Sequence, residues 1–102
     1  MKILLKDDSV KFKEINKYTM TLFQALGSLW KYQPREPVIT SANDGKHMAD
    51  SLHYKNRAWD LRSRDLNEVE QIEFVDSLKK YLGNKWDVIL EKDHIHLEAD
   101  RV

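Results

Sequence analysis

The segment Ser51-Leu-His-Tyr-Lys-Asn-Arg-Ala-Trp-Asp60 decides the fold when it is read together with Asp93-His-Ile-His96 near the carboxyl terminus. Side chains along a strand point alternately to opposite faces, so His94 and His96 share one face. Pairing of the two segments in one sheet brings Asp60 and His96 together on its polar side. We therefore predict a sheet with polar residues on one face and helices packed on the other.

The imidazole and carboxylate groups of these segments are the parts of a catalytic zinc site, which has three protein ligands and a fourth position for water. His53, in the loop that enters the first strand, completes a predicted ligand set with Asp60 and His96. Asp93 has the opposite parity, so we expect it in the turn before the second strand, where its carboxylate reaches the water. His94 is predicted to contact the substrate or transition state; orienting a ligand and binding the metal itself are the alternatives.

The pattern Ser-x-His-x6-Asp from Ser51 to Asp60, followed about thirty residues later by Asp-x-x-His from Asp93 to His96, carries a family resemblance. It resembles the zinc peptidases that include D-alanyl-D-alanine carboxypeptidases, D,D-dipeptidases and phage L-alanyl-D-glutamate endolysins. The resemblance covers roughly Val38 to Glu98, and the short single-domain form looks most like phage-encoded members.

The resemblance implies a ligand set and a base for this chain. His53, Asp60 and His96 would bind one zinc ion per chain, and Asp93 would be the catalytic base. It also implies a substrate, the stem peptide of peptidoglycan.

The substrate-binding residues differ from those of the family. In many members an Arg follows the strand that here ends at Ser41 and holds the substrate carbonyl or carboxylate, but the loop in this chain contains no Arg. Lys46, His47 and Arg57 are the candidates for that role, and Ser51 is a further predicted substrate contact.

Composition narrows the classes of function. The chain has 102 residues, which fits one domain spanning residues 1–102. Its 17 basic and 17 acidic residues cancel, so we expect no nucleic-acid partner. Because there is no cysteine, a thiolate zinc site is excluded and histidine and carboxylate are the remaining ligands.

No segment of the sequence has the length and hydrophobicity of a signal peptide or a transmembrane helix. We expect no membrane insertion. We expect a monomer that is made in the cytoplasm and acts at the cell wall after release or as a component of a virion.

Two segments have apolar residues at helical spacing. The first helix is predicted to begin near Ser9 and to end before Pro34, and the second to be capped by Asp65 or Asn67 and stopped by Gly83. The predicted apolar residues are Phe12, Ile15, Thr19, Leu22, Phe23, Leu26, Leu29 and Trp30 in the first helix, and Val69, Ile72, Phe74, Val75, Leu78, Tyr81 and Leu82 in the second.

The predicted strands are Val38–Ser41, Ala58–Arg62, Trp86–Leu90 and His94–Leu97. Glu91–Asp93 has the length of a hairpin loop between the last two, and Met1–Leu5 is either a short edge strand or a tail. This order of elements predicts an α+β domain with a small antiparallel sheet, helices on one face and a zinc site on the other.

The leading hypothesis is a zinc-dependent peptidase that cuts peptidoglycan stem peptides, as a D,D-carboxypeptidase or as an L-Ala-D-Glu endopeptidase. The alternative is a non-catalytic zinc-containing binding or structural module, for example of a phage virion. Glu98 also shares the face of His96, where we interpret it as a solvated carboxylate rather than as a group that orients an imidazole.

Overall fold

The computed structural model describes residues 2–13, 15–42 and 57–99. The elements in chain order are β1 (Leu4–Leu5), α1 (Lys17–Leu29), β2 (Val38–Ser41), β3 (Ala58–Arg62), α2 (Glu68–Leu82), β4 (Asp87–Leu90) and β5 (His94–Glu98). The described part of the chain therefore has an α+β architecture, as the sequence predicts. Neither of its helices has the combination of length and hydrophobicity that crossing a membrane requires.

The five strands form one mixed sheet in the order β1-β2-β3-β5-β4. The pairs β2–β3, β3–β5 and β4–β5 are antiparallel, as predicted, whereas β1 pairs with β2 in parallel. Leu4 and Leu5 thus form an edge strand and not a tail. The two central strands, β3 and β5, carry both halves of the sequence motif.

The register between β3 and β5 places the motif residues side by side. Asp60 pairs with His96, and Arg62 pairs with His94. The predicted meeting of Asp60 and His96 across the sheet is confirmed.

The opposite face of the same two strands is closed by the helices. Trp59 stacks on Trp86, with ring centroids 5.9 Å apart. The core that joins the sheet to both helices includes Trp59, Leu61, Ile95 and Leu97 from the strands, Leu22 and Leu26 from α1, and Phe74 and Leu78 from α2. Burial of this apolar surface holds β3 and β5 in their register.

The predicted start of the first helix near Ser9 is wrong, because α1 begins at Lys17. The side chain of Asn16 accepts hydrogen bonds from the backbone N–H groups of the first turn, and the Thr19 hydroxyl accepts one from the Asn16 N–H. Before this capping box, Asp7 accepts a hydrogen bond from the Ser9 N–H in a local turn. Local capping therefore sets the boundary, although the apolar spacing continues upstream of it.

The second helix begins and ends as predicted, with Asn67 as its N-cap and Gly83, at φ 82°, as its C-cap. Only part of its predicted apolar set is buried. Val69 and Ile72 are exposed because they lie on the side of the helix away from Phe74, which packs on the sheet. Tyr81, also predicted in the apolar set, is exposed as well.

Candidate metal centre

Asp60, His94 and His96 come together on the polar face of the sheet, with one ligand atom from each within 4.8 Å of the others. We call these three residues the Asp60 cluster. Asp60 Oδ1 lies 2.9 Å from His96 Nδ1 and 3.6 Å from His94 Nε2. The cluster exists because β3 and β5 are in register and because His94 and His96 have the same parity.

Each imidazole of the cluster also contacts a second carboxylate through its other nitrogen. His94 Nδ1 is 2.7 Å from Asp93 Oδ1, and His96 Nε2 is 2.7 Å from Glu98 Oε1. Carboxylates in this position commonly orient metal-binding histidines and fix which nitrogen carries the proton. Both rings of the cluster therefore have the outer partners that histidine ligands usually have.

The donor set and its spacing fit a metal ion. Tetrahedral zinc with bonds of about 2.0–2.2 Å holds its ligand atoms roughly 3.3–3.5 Å apart. The two separations from Asp60 Oδ1, 2.9 and 3.6 Å, fall on either side of this spacing, and the ligand atoms of all three residues lie within 4.8 Å of one another. Two imidazoles and a carboxylate suit zinc and also other first-row divalent metals.

Electrostatics in the cluster favour positive charge. The hydrogen bond with Asp60 raises the pKa of His96; Glu98 acts in the same direction, whereas burial opposes both. The hydrogen bond with His94 lowers the pKa of Asp93, so this carboxylate is ionised at neutral pH. A metal binds only neutral imidazole, so protons and metal compete for His96.

The cluster is open to solvent on one side. The side chain of Asp60 is 14% exposed, that of His96 18% and that of His94 32%, whereas Asp93 is 85% exposed. Asp93 lies in the turn before β5, where the sequence predicts it. Its carboxylate therefore lies at the solvent border of the cluster, beside His94.

Several predicted site residues lie outside the residues that the structure describes. These are His53, predicted as a metal ligand, and Lys46, His47 and Ser51, predicted as substrate contacts. Their roles stay predictions. Among the described residues, the third corner of the cluster is His94, which the sequence favours as a substrate contact with metal binding as an alternative.

Arg57, another predicted substrate contact, forms contacts with residues of the fold. Its Nε and Nη2 donate hydrogen bonds to the Ala99 carbonyl at 2.9 and 2.6 Å, and its guanidinium lies 5.1 Å from the centre of the Tyr18 ring. These contacts tie the start of β3 to the end of β5 and to α1. A substrate role for Arg57 stays a prediction.

Glu98 is the residue that sequence reasoning undervalued. It is interpreted from the sequence as a solvated carboxylate, yet it accepts a hydrogen bond from an imidazole of the cluster. The signal was present, because Glu98 follows His96 by two residues and shares its face. Parity alone does not distinguish a contact from a neighbouring solvated side chain.

No protein-family model matches this chain, and no curated protein matches it either. A function must therefore be inferred from the chemistry of the Asp60 cluster and its surroundings.

Proposed function

We propose that this chain is a zinc-dependent peptidase that hydrolyses peptide bonds in peptidoglycan stem peptides, as a carboxypeptidase or as an L-Ala-D-Glu endopeptidase. The observation that carries the proposal is the Asp60 cluster, two imidazoles and a carboxylate within 4.8 Å, with the exposed carboxylate of Asp93 beside it. The resemblance of the motif to zinc peptidases of the cell wall supports the substrate class.

The proposed ligands are Asp60 and His96 together with one further histidine. His53 is the third ligand that the resemblance implies, and His94 is the third member of the cluster in the described residues. When bound, zinc would supply a Lewis acid that polarises the scissile carbonyl and lowers the pKa of water to about 7.

Asp93 has the position and charge of a general base. It is ionised and exposed, and it is the last residue of the β4–β5 turn, directly before His94 of the cluster. In the proposed reaction its carboxylate takes a proton from the attacking water and then gives this proton to the departing amine. Its lowered pKa makes it a weaker base than a free carboxylate, so its value lies in its position.

The second carboxylate of the site has a positioning role in this proposal. Glu98 accepts a hydrogen bond from the Nε2–H group of His96, which leaves Nδ1 facing Asp60 and the proposed metal position. Glu98 does not touch the reacting atoms.

The proposed place of action is the cell wall, which the chain reaches after release from the cell or as a component of a virion. The chain is proposed to work as a monomer. The proposed place of action follows from the proposed substrate class.

The experiment that tests the function is mass spectrometry of purified peptidoglycan after incubation with the zinc-loaded protein. We expect new peptide termini whose masses identify the bond, their loss with chelator, and their return when zinc is restored. The matched control is the Asp93→Asn variant loaded with the same amount of zinc. Intact stem peptides in walls of several chemotypes, incubated with folded and zinc-loaded protein, would refute the proposal.

A non-catalytic zinc module is the second candidate, and one contact favours it. Asp93 Oδ1 is 2.7 Å from His94 Nδ1, so the carboxylate proposed as the base is engaged as a partner of an imidazole. In such a module Asp93 would only orient His94. The same experiment separates the two candidates, because the module binds zinc without cutting the wall.

A further inference from the structure

A basic pocket opens beside the Asp60 cluster. It has a volume of about 430 Å³, and its lining includes Lys6, Arg62, Arg64 and Lys92, with Asp93 as the single acidic residue. These side chains come from three separate segments of the chain: Lys6 follows β1, Arg62 and Arg64 lie at and just after the end of β3, and Lys92 lies in the β4–β5 turn. The tertiary fold, and not one run of basic sequence, therefore concentrates the positive charge.

Basic residues outnumber acidic ones in the pocket lining, although Asp7 and Asp93 interact electrostatically with Lys6 and Lys92 without forming ion pairs with them. Within the described residues, no carboxylate forms an ion pair with Lys6, Arg64 or Lys92. Arg62 has one acidic partner, Asp65, at 3.7 Å. Like charges brought to one pocket repel one another unless an anion binds between them. Such a pocket is therefore suited to a negatively charged ligand group.

The pocket and the Asp60 cluster are in contact. Asp93 lines the pocket and also binds His94 of the cluster, and Arg62 is the strand partner of His94. A ligand that fills the pocket with one group therefore places its neighbouring atoms beside Asp93. The two features form one continuous surface.

We infer that this pocket is an anion-binding subsite that takes the carboxylate of a peptide whose adjacent bond lies at the Asp60 cluster. Arginine and lysine together provide charge and several N–H donors, which suit a carboxylate. The identification of the ligand as a peptide rests on the proposed function, whereas the binding of an anion does not. A carboxylate and a phosphate are both oxyanions that such a pocket could bind, so the test compares a peptide carboxylate with inorganic phosphate.

The test uses N-acetyl-D-alanyl-D-alanine, which has one carboxylate, and its carboxamide, which has none. Binding is followed by amide chemical shifts of the full chain in the presence of chelator, so that no ligand binds through a metal. We expect the largest shift changes at Arg64 and Lys92. The Kd for the carboxylate should be at least tenfold lower than the Kd for the carboxamide. Higher salt should weaken the binding of the carboxylate.

Two exposed pocket residues allow charge removal with little risk to the fold. Arg64→Gln and Lys92→Gln are each expected to weaken binding of the carboxylate about fivefold to tenfold. The matched control is Lys85→Gln, which removes an exposed positive charge at the other end of β4 and should leave the Kd within twofold.

The outcomes are distinct. Equal binding of the two dipeptides, or equal Kd values for the two pocket variants and the Lys85→Gln control, overturns the subsite. Tighter binding of inorganic phosphate than of the dipeptide carboxylate overturns the peptide as its ligand. A chain that binds the carboxylate here yet leaves peptidoglycan intact refutes the proposed function alone, and cleavage without this binding refutes the subsite alone.

Discussion

The two faces of β3 and β5 differ in what they pack against. On one face Trp59, Leu61, Ile95 and Leu97 are at most 2% exposed and form the core with both helices. On the other face the Asp60 cluster and Glu98 contact one another through polar atoms and remain partly exposed. One register fixes both faces, because a slip by one residue would exchange them. The packing of the core therefore also positions the polar groups on the opposite face.

The largest expected effect comes from removing Asp60 or His96, which are proposed ligands whether the third ligand is His53 or His94. Asp60→Ala and His96→Ala should each abolish stoichiometric zinc binding, since each removes a donor of the cluster. Metal content is measured by mass spectrometry of dialysed protein, and circular dichroism checks that the core remains folded. A stoichiometric zinc content in both variants would refute the proposed metal site.

The same measurement identifies the third ligand. If His53 is the ligand, His53→Ala loses zinc and His94→Ala keeps most of it; if His94 is the ligand, the order reverses. Equal losses mean that both rings bind.

The next largest effect is expected at the solvent border of the cluster. Asp93→Asn keeps an acceptor for His94 but cannot take a proton, so turnover should fall about 10²–10⁴-fold. Zinc affinity should change less than threefold, as measured by competition with a chelating dye. Turnover at the wild-type rate would exclude Asp93 as the base, and a large loss of zinc would make it a positioning residue.

The apolar face of the same strands is expected to affect stability and not metal binding. Leu97 is fully buried, so Leu97→Ala should lower the free energy of unfolding by about 2–5 kcal/mol, measured by urea denaturation. Zinc bound per folded chain should stay unchanged. The matched control is Ile72→Ala on the exposed side of α2, which should change the unfolding free energy by less than about 0.5 kcal/mol. A loss of zinc by folded Leu97→Ala protein would mean that the faces are not independent.

The smallest expected effect concerns Glu98. Glu98→Ala removes the partner of His96 Nε2 and should weaken zinc affinity about tenfold to a hundredfold. Glu98→Gln, which keeps an oxygen acceptor, should recover part of the affinity. The competition assay checks both variants. Unchanged zinc affinity in the Ala variant would support the interpretation of Glu98 as a solvated carboxylate.

The sequence predicts the features that depend on the alternation of side chains along a strand. It leaves open the contacts that depend on distances between side-chain atoms. The pairing of Asp60 with His96 follows from strand parity and is confirmed by the register. The roles of His94 and Glu98 depend on which atoms their side chains reach, and parity places both on the same face without choosing a partner. A rotation about one side-chain bond decides these contacts, and no spacing rule encodes it.

The boundary of the first helix has a different cause. The apolar spacing extends through Phe12 and Ile15, but the free N–H groups of the first turn are satisfied at Asn16. Ile15 is exposed, so the extension of the spacing does not reflect burial there. The basic pocket was also beyond sequence reasoning, because its lining residues are distant in the chain.

The three-residue turn Glu91–Asp93 joins β4 to β5 and is exposed throughout. It carries Lys92 of the pocket and Asp93 beside the cluster, yet neither Asp60 nor His96 belongs to it. Turn sequences are replaceable where their flanking strands are held by a core. For protein engineering, a small library that varies Glu91 and Lys92 and keeps Asp93 would therefore change ligand preference while the metal-binding strands and the proposed base stay constant.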